Sequence, residues 1–310
     1  MTMISSTTKT TTKATAKAKA RLGAATLVLA AGLALSGCGG QGNASTSQTQ
    51  SAAVPELQAM LPASVKDAGV LNIAISLAYP PMEYSEAGST DLKGADIDLA
   101  KEVAARLGLK PNFQNVDFSQ LIVSVTTGRS DIIWTAFSDL KKRQGELDFV
   151  DYFRTGNQFF APVANQDKIK ELADLCGYTV TVSTGTSWVG SVEDLSKSTC
   201  AADKPIKILQ IPTQAEEILQ MKQDRAQASL IGFEGILDLQ KQEPGKYYAI
   251  GDLLEPGNYG IAVAKKSTEL RDAIKATMEA MQKDGSYAKI LDNYGLKAAA
   301  LDSITVNDGK

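Results

Sequence analysis

From Val70 onward, two hydrophobic rhythms alternate along the chain. The run "LNIAIS" is short and rich in β-branched residues, which marks a strand. "ADIDLAKEVAARLG" instead sets Ile97, Ala100, Ala104 and Leu107 at helical spacing and stops at Gly108. "KPNFQNV" reads as the next strand, "DFSQLIVSVTTG" as a helix capped by Asp117 or Ser119, and "DIIWTAF" as a further strand. Strands separated by helices predict a mostly parallel sheet with right-handed crossovers.

Near residue 160 the order restarts. "NQFFAPVAN" reads as a strand, "IKELADLCG" as a short helix, "YTVTVS" as a strand and "TSWVGSVEDLSK" as a helix. "IKILQIP", "TQAEEILQMKQD" and "AQASLIGF" continue the alternation as strand, helix, strand. After "EPGNYG" come "IAVAK", a long helix "STELRDAIKATMEAMQKDG" and "SYAKILDNYGL". The halves also share a faint repeat. "LIVSVTTGRSDIIWTAF" and "EILQMKQDRAQASLIGF" both run from helix through Gly or Asp and Arg to a strand ending in Phe. A duplicated α/β unit suggests two lobes of like design. Ligands of open parallel sheets lie off the carboxyl ends of strands. Two facing lobes would put the segments Thr135–Ser138 and Ile231–Glu234 opposite each other.

The start of the chain has another character. Residues 1–21 carry Lys9, Lys13, Lys17, Lys19 and Arg21 with no acid, and "LGAATLVLAAGLAL" follows, then "SGC". A basic flank, a short apolar run and small residues at the exit predict a secretory signal over residues 1–37. The apolar run is shorter than the ~20 residues that a membrane-spanning helix needs. "GGQGNASTSQTQSAA" reads as a flexible tether, placed at 38–55. Without the signal's five cations, 27 basic side chains face 35 acidic ones, a net charge of −8. That balance argues against nucleic acid as a partner.

Histidine is absent from all 310 residues, which rules out histidine-based acid–base catalysis, Ser-His-Asp triads and histidine-ligated metals. No metal or cofactor is expected. Cys176 and Cys200 remain beside Cys38. Export and an even remainder suit a disulfide between them; two free buried thiols are the alternative.

Several stretches carry a family resemblance. "LSGC", Leu35–Cys38, resembles the lipobox of bacterial lipoproteins, in which the matching cysteine becomes a diacylglycerol-bearing N-terminus. The order "YPPMEY", "LKGADIDLAKEVAARLG", "VDFSQLIVSVTTGRSDI", "SDLKKRQGELDFVDYF" and "DGSYAKILDNYGL" resembles the extracellular solute-binding proteins of polar amino acid ABC transporters, family 3, over about residues 65–297. "LCG…C" looks like the actinobacterial lipoprotein branch. The resemblance implies a two-lobed α/β fold of the periplasmic-binding-protein type (type II) with two hinge crossings. It puts lobe one at 56–157 plus 257–310 and lobe two at 158–256, crossing near Thr155–Asn157 and Leu254–Gly260. Gly156, Gly257 and Gly260 could absorb the change of backbone angle in a hinge. The function implied is capture of an amino acid or amino-acid-like carboxylate outside the membrane by a lipid-anchored monomer, and delivery to an ABC permease.

The resemblance also carries over residues. Arg143 matches the arginine that grips the ligand α-carboxylate, and Ser138 a serine that assists it. A guanidinium fork suits that task. On pattern alone, Arg143 could equally pair with Glu146 or Asp148. Thr186 and Ser187, in "STGTSW", match the positions that meet the carboxylate from lobe two, where a helix start offers free amides. The same residues also suit an ordinary N-cap. Tyr79 and Phe118 match aromatics that sandwich the ligand side chain. Trp188 matches a variable lining position, and Thr135 and Ala136 lie where serines or backbone carbonyls are offered.

Two positions depart from the family. Gly232 stands where an aspartate usually pairs with the α-ammonium, and Ser76 where binders of basic amino acids often carry an aspartate. A buried ammonium without a carboxylate costs several kcal/mol. Either Glu234 or Glu83 supplies the charge, then, or the ligand lacks an ordinary ammonium, as a betaine, an N-substituted or a keto acid does. Arginine, lysine and ornithine are disfavoured on this reading. The alternative function is a cyclohexadienyl-dehydratase-like enzyme on the same fold, with Glu83 or Glu234 as general acid.

Overall fold

The computed structural model describes residues 52–86 and 88–310. The expected signal segment, Cys38 and most of the expected tether lie outside the described residues. Chain order begins with α1 (Pro55–Gln58), α2 (Ala63–Ala68), β1 (Val70–Ile75), a hairpin of β2 (Tyr84–Ser85) and β3 (Leu92–Lys93), α3 (Ala95–Arg106), β4 (Lys110–Asn115), α4 (Leu121–Thr126) and β5 (Ile132–Ile133). A long strand, β6 (Leu147–Pro162), leads to the second lobe of β7 (Thr179–Ser183), α5 (Trp188–Thr199), β8 (Lys207–Ile211), α6 (Gln214–Lys222), β9 (Ala228–Gly232) and α7 (Phe233–Gln242). A second long strand, β10 (Tyr247–Ala264), returns to the first lobe, which α8 (Thr268–Asp284), α9 (Ser286–Asn293) and β11 (Thr305–Val306) complete.

The strands form one path, β4-β1-β5-β10-β6-β9-β7-β8. β1 pairs parallel with β4 and β5, and β7 pairs parallel with β8 and β9. The two long strands run antiparallel to each other and join the lobes: β10 pairs with β5 and β6 with β9. Each lobe is thus a three-stranded parallel unit closed by an antiparallel crossing strand. Because β1 and β7 hold equivalent central places, their carboxyl ends face one cleft.

Local differences from the sequence reading have local causes. "NQFFAPVAN" does not begin a new element; Asn157–Pro162 continue β6 past Gly156, where the pairing with β10 shifts register between Thr155–Gly257 and Asn157–Leu254, and Val163–Asn165 form a 3-10 turn. "IKELADLCG" forms only a 3-10 turn, Leu172–Leu175, held by reciprocal bonds between Glu171 and Asp174. "DFSQLIVSVTTG" starts with a 3-10 turn, Phe118–Gln120, and no side chain caps it or α4.

Apolar residues sort into separate cores. Ile73, Ile97, Val103, Trp134 and Ile274 pack under one face of the first lobe; Ala74, Leu121, Ile133 and Phe149 pack under the other. Phe160, Val180, Val192, Leu230 and Ile236 form the core of the second lobe. Cys176 and Cys200 are joined by a disulfide, their Cα atoms 5.4 Å apart. No helix among the described residues is long and apolar enough to cross a membrane.

Candidate ligand-binding site

The carboxyl ends of β1, β5 and β7 open into one cavity of about 530 Å³, its mouth included. Tyr79, Phe118, Thr135, Ala136, Ser138 and Arg143 line it from the first lobe, and Thr186, Ser187 and Trp188 from the second. Gly232 and Glu234 do not line it.

Arg143 lies in the turn between β5 and β6. One of its N–H groups donates to the Ser138 carbonyl at 2.9 Å, and its guanidinium carbon stands 4.0 Å from the centroid of the Phe137 ring. That fixes the fork while leaving most of its five N–H donors unspent. Asp148, a candidate partner on sequence, is held instead by Lys265 at 2.7 Å and Arg271 at 2.9 Å. Arg143 makes no ion pair among the described residues although it is only 7% exposed. Burial draws its pKa down to about 10, so it remains a cation at neutral pH.

The opposite wall begins where β7 ends at Ser183. Gly185 takes φ +82°, the left-handed turn that brings residues 184–187 round into α5. Ser187 occupies the N-cap position without a capping bond from its side chain. The first amides of α5 therefore lack that partner and carry the positive end of the helix dipole. The Thr186 hydroxyl donates to the Ser183 carbonyl at 2.7 Å, so its hydrogen is spent. A Cβ on Gly185 would lie 3.0 Å from Ser119 of the other lobe, so the lobes meet closely there.

The aromatic residues tie the lobes together. Tyr79 and Trp188 lie on opposite lobes with ring centroids 5.9 Å apart. The Trp188 indole donates to Asn157 of β6 at 2.8 Å. Phe118 belongs to the Arg143 side, 5.6 Å from Phe137 and 5.8 Å from the guanidinium carbon. The Tyr79 hydroxyl donates to Glu234 at 2.6 Å and accepts from the Gly232 amide at 3.1 Å.

The two acids weighed for the ammonium differ in access. Glu234 is fully buried, and its carboxyl accepts from Tyr79, from Tyr259 at 2.7 Å and from Thr155 at 3.1 Å. Burial raises its pKa. Glu83 does line the cavity. Thr135 accepts from the Ser76 amide at 2.9 Å and donates to Glu83 Oε1 at 2.8 Å. Glu83 Oε2 is buried without a donor, beside Asp96. Burial, then the Asp96 carboxylate, pushes Glu83 far above the usual carboxyl range. Asp96 accepts from Tyr152 and from the Ala136 amide, both at 2.6 Å, and burial still lifts it to about 7. One proton shared by Glu83 and Asp96 satisfies both groups. Ala136 holds a left-handed φ of 45° while it makes that amide bond.

Sequence reasoning did not single out Ser183 or Gln214, which also line the cavity. The available signal for Ser183 was its place as the last residue of a strand at the ligand edge. No group of three or more metal-ligating side chains occurs among the described residues.

Two like lobes around one cleft, with an unpaired guanidinium on one wall and an open helix start on the other, define a receptor for a small solute bearing an anionic group. The chain belongs to the bacterial extracellular solute-binding proteins, family 3, whose sequence model matches residues 71–297. It is 28% identical to the arginine-binding protein of Corynebacterium glutamicum over 259 residues, covering 82% of this chain and 84% of that protein. It is 28% identical to the histidine-binding periplasmic protein of Salmonella typhimurium over 234 residues, covering 72% and 86%. Among solved structures, an ancestral arginine-binding protein bound to arginine superposes with a TM-score of 0.67 at 30% identity, covering 73% of this chain and 98% of that one.

Proposed function

We propose that this chain is the receptor of an ABC importer that captures an amino acid or close analogue by its carboxylate and delivers it to the permease. The unpaired, stacked Arg143 across from the α5 start carries the reading. The Ser187 hydroxyl and the α5 amides meet the carboxylate from the second lobe, and Tyr79 and Trp188 enclose the chain beyond it. At the amino end, Glu234 is committed to three hydroxyls, so the acid within reach is Glu83 through the Thr135 side. The relatives named for arginine and histidine support an amino acid as the class. Closure presents a joined surface of both lobes to the permease, and lipidation at Cys38 keeps the receptor at the membrane.

A thermal-shift and calorimetric panel of amino acids, betaines and keto acids tests this. A ligand at 100-fold its dissociation constant should add about 2.7 kcal/mol of stability. Arg143→Ala should abolish the response and leave the unliganded protein's melting point nearly unchanged. No response to any carboxylate would end the reading. Conversion of ligand to product would favour the dehydratase-like alternative.

A further inference from the structure

The second lobe buries a carboxyl that the carboxylate clamp does not use. Glu217 of α6 has no exposed surface. Its Oε1 accepts a hydrogen bond from the Ser183 hydroxyl, and its Oε2 accepts from Ser229 at 2.9 Å. Thr181 pairs in register with Ser229, and its hydroxyl is buried without a partner. The fold does not require this polar cluster, as the internal repeat shows. Aligning "LIVSVTTGRSDIIWTAF" with "EILQMKQDRAQASLIGF" sets Leu121 against Glu217 and Ile133 against Ser229. Strand pairing likewise sets Ala74, opposite Ile133, against Thr181, opposite Ser229. In the first lobe those places form an apolar core of Ala74, Leu121 and Ile133. Burying a carboxyl in the equivalent place is costly, and no cation offsets it among the described residues. The one member of the cluster that reaches the cavity is Ser183.

We propose that Ser183, backed by Glu217, is a specificity subsite that accepts a hydrogen bond from an N–H group on the ligand side chain, such as an amide or a guanidinium. This rests on the carboxylate reading above. While Glu217 is ionised, the Ser183 hydrogen is spent on it and Ser183 offers the cavity only lone pairs. A ligand held by Arg143, with its amino end toward Thr135 and Glu83, turns its remaining chain to the wall of Ser183, Pro212 and Gln214. Glu217 acts through Ser183 as a positioning residue and puts negative charge one bond behind the acceptor. This subsite offsets the loss of an aspartate at Ser76 and restores side chains with N–H groups to the ligand class. Burial pushes Glu217 up to about 7, so its charge grows across neutral pH. The polar groups that face it are the hydroxyls of Ser183 on β7 and Ser229 on β9, with no charged side chain among them.

Calorimetry on the disulfide-intact protein with two matched ligand pairs, arginine against norleucine and glutamine against methionine, tests the subsite. The N–H ligand of at least one pair should bind ten-fold or more tighter than its apolar counterpart. Ser183→Ala should erase that ratio and leave the apolar ligand within two-fold. The arginine-to-norleucine ratio should rise from pH 6 to 8 and become flat in Glu217→Gln; the Glu83–Asp96 pair acts on both ligands alike and cancels in the ratio. A wild-type ratio near one in both pairs, or equal losses for both ligands in Ser183→Ala, overturns the subsite while binding through Arg143 stands. If no member of either pair binds, the carboxylate reading falls and the subsite with it.

Discussion

The carboxyl of Glu234 fills the space that a side chain on Gly232 would need. A Cβ added at Gly232 would lie 2.0 Å from Glu234 Oε1 and 2.6 Å from the hydroxyls of Tyr79 and Tyr259. Glu234, two residues along, puts its carboxyl into the space beside position 232 and is capped there by three hydroxyls. Gly232→Ala should therefore destabilise the protein by about 1–3 kcal/mol through overpacking. Adding Glu234→Ala should recover part of that loss, because the clashing atom is gone. Urea denaturation of the single and double variants gives the coupling, and additive losses would mean that the two positions do not share this space.

The buried acids set an unusual pH dependence. Burial raises Asp96, Asp151 and Glu217 each to about 7. In the unfolded chain these groups titrate near ~4. Between those limits the folded protein binds more protons than the unfolded one, so stability falls as pH rises. Their favourable contribution is full below about pH 4 and is lost as pH climbs through 7. Asp148 and Asp284 oppose this, being lowered by their cationic and hydrogen-bonding partners despite burial. The midpoint in urea should be higher at pH 5.5 than at pH 8, and Glu217→Gln should flatten the slope. A midpoint that rises toward pH 8 would contradict the assignment.

Legibility in the sequence followed the range of the interaction. The alternation of "LNIAIS" with "ADIDLAKEVAARLG" gave strand and helix because each pattern is set by its own burial within one element. "NQFFAPVAN" could not be joined to "LDFVDYF", since the partners that carry β6 past Gly156, Gly257 for Thr155 and Leu254 for Asn157, lie about 100 residues away. The Arg143 ambiguity had the same origin: Asp148 is taken by Lys265 and Arg271, and neither is near it in sequence. Gly232 flagged the departure at the amino end, but which acid faces the cavity depended on Tyr79, Tyr259 and Thr155 converging on Glu234.

The disulfide closes a loop of 24 residues in the second lobe, between the Leu172–Leu175 turn and the end of α5. On the chain-entropy model such a loop contributes about 3 kcal/mol. A Cys176→Ser/Cys200→Ser variant should lose about that much in urea denaturation. The bridge holds the C-terminal end of α5, a full helix away from Ser187 at its cavity end, so a ligand's dissociation constant should change less than two-fold. A large change in affinity with little change in stability would reverse that assignment.

Binding of an amino acid should release a proton. The unliganded Glu83–Asp96 pair shares one proton because two adjacent carboxylates cannot both ionise cheaply in a buried site. A ligand ammonium set beside Thr135 adds the opposite charge and lowers the cost of full ionisation, so up to about one proton leaves per ligand bound. Affinity for an amino acid should then rise with pH across neutrality, whereas affinity for the matching keto acid should not. Calorimetry in phosphate and in Tris reads the release directly, because the buffer that takes up the proton adds its own ionisation heat. Glu83→Gln should remove the buffer dependence. Equal heats in the two buffers for the wild-type protein would show that the amino end of the ligand does not engage this pair.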